Sequence, residues 1–144
     1  MKLTGLFVPG INSSMATLGL LVLRVWLGVA MLCNHGWDKL IHFNDTVGHF
    51  PDPLHITPAV SLILAIIAEF ACSALLAVGL ITRLAALILA IHLAVAFVVV
   101  HKMTLTGAQN GELAFIYLAG FVTILLAGPG QYSADAVIFG KTGS

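Results

Sequence analysis

The chain of 144 residues is 60% hydrophobic and 8% charged, with six Lys and Arg balanced by six Asp and Glu. Soluble domains run at about 25% charged residues, so this composition leaves too few polar groups for a water-facing surface and implies a protein of the lipid bilayer. Zero net charge and the lack of a basic run exclude nucleic acid as a partner, because its phosphates demand clustered Lys and Arg.

Four apolar stretches follow in chain order. The first is predicted as a helix over residues 15–40, with Ser13, Ser14 or Thr17 available as N-cap. Its Leu18–Leu32 portion is not read as a cleavable signal, since Arg24 interrupts it, no small-x-small site follows and further spans come after. Residues 41–57 form the longest and least apolar connection; Asp45, Asp52, Pro51 and Pro53 predict an ordered, turn-rich cap over one mouth of the bundle more than a helix. The second span is predicted over 58–81, with Pro58 favoured in a first helical turn. The link Gly79-Leu80-Ile81-Thr82-Arg83 is so short that the third span, 84–102, must run antiparallel beside the second. The fourth, 111–127, ends at the breaker Gly128-Pro129-Gly130 and is short against the roughly 17–25 residues a span needs. Continuous apolarity without alternation means helices, not strands. The expected architecture is all-α: one integral membrane domain over 1–144, a four-helix transmembrane bundle. Lys2, Arg83 and Lys141 on one side against Lys39 and Lys102 on the other favour both termini in the cytoplasm.

Arg24, Glu69 and His92 lie inside apolar runs, where a charge is expensive and marks a candidate functional site. Measured from the loop-side ends, Glu69 and His92 lie about 16 and 15 Å deep and Arg24 about 24 Å deep. Arg24 and His35 are about three turns apart and share a face, with Lys39 close to the same stripe. The geometry suggests a polar column: Lys39 and His35 near the mouth, then Glu69 and His92, with Arg24 at the bottom. An Arg24–Glu69 ion pair that only fixes the helices is the competing interpretation, and His92 is equally readable as a hydrogen-bonded interior histidine. His42, His49 and His55 lack a ligand spacing, so no metal site is expected. Cys33 and Cys72 lie about 10 and 21 Å deep, too far apart for a disulfide, and read as packing residues. Trp37, Tyr117 and Tyr132 are candidate interfacial anchors, and Gly28 with many alanines supplies small surfaces for close packing.

The polar punctuation resembles the DoxX family of small bacterial four-helix membrane proteins. The matching pieces are Arg24, His35-Gly36-Trp37-Asp38-Lys39-Leu40, Ala68-Glu69-Phe70, Gly79-Leu80-Ile81-Thr82-Arg83, His101, Gly111-Glu112 and Gly128-Pro129-Gly130-Gln131-Tyr132-Ser133-Ala134-Asp135. The last is the most specific, and together they cover Leu18 to Asp135. The resemblance carries over Arg24, His35, Lys39, Glu69, His101 and Glu112; His92 and both cysteines fall outside the pattern, and Asp38 stands where relatives often have a small residue. It implies a protein of the bacterial inner membrane associated with redox chemistry, handling a quinone or a small sulfur or phenolic compound. Arg24, His35 and Glu69 are then the catalytic candidates, while Lys39, His92, His101 and Glu112 are candidates for holding a ligand. The sequence has no haem, flavin or nicotinamide motif, which places any electron-transfer centre on a partner oxidoreductase. A non-catalytic membrane partner or scaffold for a soluble oxidoreductase is the alternative. A proton-coupled small-anion carrier is another, which with four short spans needs a homo-oligomer.

Overall fold

A computed structural model describes residues 13–140, and among them every regular element is helical. Among the described residues three helices are long and apolar enough to cross a membrane: α1 (Ser14–Ile41), then, after the short α2 (Phe43–Thr46), α3 (Pro58–Val78) and α4 (Thr82–Val100). The apolar α5 (Glu112–Ala127) is shorter, and α6 (Ala134–Phe139) follows it. Lys2 and Lys141, used above for orientation, lie outside the described residues, as does the side chain of Ser13.

Local chemistry explains most helix ends. The Thr57 hydroxyl accepts the Val60 N–H at 3.3 Å, and Pro58 occupies the first turn of α3. The same helix stops at Val78, short of the expected Ile81, because Gly79 turns left-handed at φ 82° while the Gly79 and Leu80 N–H groups both return to the Leu75 carbonyl. The start of α4, two residues earlier than expected, has a distant cause. Asp135, beyond α5, accepts the N–H groups of Ile81 at 2.7 Å and Thr82 at 2.9 Å. Burial opposes the charge of Asp135, but the Thr82 and Ile81 N–H groups outweigh it and hold its carboxyl below the usual range.

The 41–57 connection departs in part from expectation. After a break at His42 its first half stays helical, through α2 and a turn of 3-10 helix at Val47–His49. Its second half is turn-rich, and Asp52 organises it. This carboxylate accepts the Ser61 hydroxyl at 2.7 Å and the N–H groups of Ile56 at 3.1 Å and Thr57 at 2.9 Å. Those bonds stabilise the costly positive φ of His55 (55°) and Thr57 (123°). The Ser61 hydroxyl first, then the two N–H groups, lower the Asp52 pKa despite its desolvation. With the folded value depressed, the contribution of the charge is complete above the ordinary Asp range near pH 4 and is lost as pH falls through the folded pKa. Hydrogen-exchange protection at Ile56 and Thr57, corrected for intrinsic rates, is therefore expected to decay below about pH 4 while the helices stay protected. In Asp52→Asn the same amides should already exchange fast at neutral pH; unchanged protection there would refute the role of the carboxylate.

The helices alternate in direction, so the 41–57 and 101–111 connections share one end of the molecule (the loop end) and the Gly79 turn and residues 128–140 share the other (the turn end). α1 lies along α3, its first part on Ser73–Val78 and its Leu32–Gly36 turn on Ile67–Cys72. Both of those turns are π-helical, a widening that recurs at functional sites. They meet at Gly36, where an added Cβ would stand 2.5 Å from the Glu69 carbonyl oxygen, so no larger residue fits without parting the helices. On its other side α4 packs extensively on α5. Ala85, Ala86, Leu89 and Ala90 of α4 share one buried cluster with Ala114, Tyr117, Phe121 and Ile124 of α5, small residues beside large ones, as close packing in lipid requires. Trp26, 73% exposed on α1, belongs to the outer apolar surface.

Candidate functional site

Glu69 sits in the π-turn of α3 with its carboxylate directed between three helices. Lys39 of α1 donates to its Oε2 at 2.6 Å, and Nε2 of His92 on α4 lies 2.8 Å from its Oε1. Both oxygens of one buried carboxylate are thus occupied by partners from different helices. The shared depth predicted for Glu69 and His92 is correct, and His92, outside the family pattern, is the carboxylate's direct partner.

Helix geometry explains why these three meet. Side chains lean toward the N-terminus of their own helix. On α1 that direction runs from the loop end into the bundle, so Lys39 reaches inward; on antiparallel α3 it runs toward the loop end, so Glu69 reaches back to meet it. His35, one turn below Lys39, stands edge-on to the ring of Tyr117, with centroids 5.9 Å apart at 87°. Lys39, His35, Glu69, His92 and His101 all line one cavity of about 720 Å³, whose remaining walls are mainly aliphatic and aromatic. That volume lies within the ~300–1,000 Å³ range of small-molecule sites. At its loop end the Nδ1 of His101 faces the Gln109 carbonyl at 3.2 Å.

Two expected members are elsewhere. Glu112 is exposed at the start of α5 and does not line the cavity. Arg24 belongs to the turn end and has no part in the column: its Nη1 donates to the Pro129 carbonyl and its Nη2 to the Tyr132 carbonyl, both at 2.7 Å. By Cα depth Arg24 and Glu69 lie within reach, but the lean that brings Lys39 to Glu69 carries Arg24 away from it. The Arg24–Glu69 pair is replaced by a clamp on the segment after α5. Gly79 belongs to the clamp too, since a Cβ there would strike the Arg24 guanidinium and Ser133.

Tyr117 is 8% exposed, in the cavity wall, and is not the interfacial anchor expected from its sequence position. The spacing Ala114, Tyr117, Phe121, Ile124 on one face of α5 was the sequence signal for its burial. Ser61 and Asn110, also lining the cavity, gave no such signal. Trp37 remains half-exposed beside Phe70, and Tyr132 is 57% exposed. Cys33 is exposed and Cys72 buried, both free.

The sequence model of the DoxX family matches residues 19–102, more than half of the chain. The chain belongs to the DoxX family. It is a multi-pass membrane protein. The matched region of this DoxX protein contains Arg24, His35, Lys39, Glu69, His92 and His101 and ends before Glu112 and the Gly128–Asp135 segment. An uncharacterized protein of Haemophilus influenzae is 32% identical over 123 residues, covering 77% of this chain and 84% of that protein. No solved structure matches.

Proposed function

We propose that this DoxX protein is a redox-associated component of the bacterial inner membrane, with both termini in the cytoplasm, that binds a small quinone-like, phenolic or sulfur compound in the cavity around Glu69. The observation that carries this reading is one carboxylate shared by Lys39 and His92 in an otherwise apolar chamber. An apolar chamber with a few convergent polar groups suits a ring compound with an oxygen at one end. The Lys39 ammonium donates to that oxygen, and Glu69 with His92 passes a proton to or from it. Reduction of a quinone to a quinol takes up two electrons and two protons; Glu69 and His92 serve the protons, while the electrons come from a partner oxidoreductase that carries a redox centre.

A second reading, a non-catalytic scaffold for a soluble oxidoreductase, is favoured by one observation: both Glu69 oxygens are already satisfied within the protein. Binding of a tail-free benzoquinone and of a substituted phenol to the reconstituted protein separates the two. Saturable binding that weakens at least tenfold in His92→Ala supports the first. No saturable binding of either compound refutes it.

A further inference from the structure

The cavity around Glu69 is bounded unevenly. From the π-turn that carries Glu69 down to the turn end, α3 and α4 hold together, both the π-turn and the Ser73–Val78 stretch packing on Thr82–Val95. Above it they part. The Pro58–Ile66 stretch of α3 packs mainly on Trp37–Ile41 and Val47–His49, leaning toward α1 and the loop and away from α4. A wedge is left between α3 and α4, and its apex is the Glu69–His92 pair.

The rims of the wedge are exposed and apolar. Leu64 and Ile67 on α3 line the cavity and are each 47% exposed, and Ile91 on α4 lines it at 57%. A side chain that lines a cavity while half of its surface faces outward stands at an opening. Leu54 (56%), in the loop before α3, and Leu113 (53%), at the start of α5, are further exposed apolar residues of the lining. None of these five side chains can hydrogen-bond; the polar lining residues Lys39, His101 and Asn110 lie toward the loop end, away from the Leu64, Ile67 and Ile91 rims. Ile67 lies about 14 Å below the start of α3, inside the roughly 30 Å hydrocarbon core. The opening therefore faces lipid tails.

We infer that the site is entered sideways from the bilayer, through the cleft between α3 and α4, by a single-tailed amphiphile whose quinone- or phenol-type head stops at Lys39, Glu69 and His92 while its tail stays in the cleft. This rests on the ligand class proposed above and adds to it a lipid-dissolved substrate and its route. A tail that remains among lipid and apolar rims exchanges one hydrocarbon environment for another, so its length should not change affinity referred to concentration in the membrane.

The test uses the full-length protein in phosphatidylcholine vesicles and benzoquinones that are tail-free or carry butyl, heptyl or decyl chains. Membrane-referenced affinity is expected to stay within about threefold from butyl to decyl. If the bound tail must leave the bilayer, affinity falls about fourfold for each added methylene. Leu64→Trp and, on the opposite rim, Ile91→Trp should each weaken decyl-quinone at least tenfold and leave the tail-free compound within about twofold; two outward-facing sites guard against a folding defect in one. A steep loss with tail length, or rim variants without effect on the decyl compound, overturns lateral entry and leaves head binding standing. Failure of every compound to bind overturns both.

Discussion

Replacing Glu69 with Gln is expected to lower the stability of the detergent-purified protein by about 1–3 kcal/mol and to abolish ligand binding in the cavity. The change keeps the shape of the side chain but removes the charge that faces Lys39 at 2.6 Å. It also presents an amide NH2 to one of two groups that now donate to the carboxylate. The cost stays moderate because the Lys39 side chain, 20% exposed, can straighten toward the loop end and recover water. Lys39→Met alone should cost a similar amount, since it leaves the carboxylate buried with His92 as its remaining partner. The double variant Lys39→Met/Glu69→Gln should be less destabilised than the sum of the two, a coupling of about 1–2 kcal/mol by double-mutant cycle. Strict additivity in thermal unfolding would show that the pair does not act as one unit.

Arg24→Met is expected to damage the other end of the molecule. Arg24 is 2% exposed, and its guanidinium donates to two carbonyls, Pro129 and Tyr132, that are distant in sequence. Its loss strands both acceptors, at about 1–3 kcal/mol each where water cannot replace it. The segment beyond α5 should come loose, and with it Asp135, whose carboxylate caps the start of α4. The expected result is a loss of about 2–5 kcal/mol together with rapid proteolytic cleavage after Ala127. Arg24→Lys should be intermediate, because a single ammonium lacks the planar fork that spans two acceptors. Cavity binding of a tail-free quinone should survive in any Arg24→Lys protein that folds; its loss there would return Arg24 to the ligand site and refute the separation of the two clusters.

The two charged side chains that opened the functional question thus have different work. Arg24 ties the C-terminal segment to the first and second spans. Glu69 centres a cavity that the third and fourth spans complete. Both stood out in the sequence for one reason, a charge inside an apolar run, and that signal is blind to which neighbour receives it.

Composition and periodicity were enough for the membrane, for helices close to their observed limits, for the antiparallel α3–α4 pair and for Glu69 and His92 at one depth. These are consequences of rise per residue, of the length a bilayer demands and of breakers such as Gly128-Pro129-Gly130, all of them local or one-dimensional. Tertiary structure decided the partners. Cα depth ignores that side chains lean toward the N-terminus of their helix, so arithmetic that matched Arg24 to Glu69 missed the Lys39–Glu69 bond and the Arg24 clamp. Only the folded chain brings Asp135 back to Thr82, places Tyr117 against His35, and opens α3 from α4 above Glu69. Each depends on contacts between residues far apart in sequence, and no local pattern of residues encodes which of several apolar helices a given face will meet.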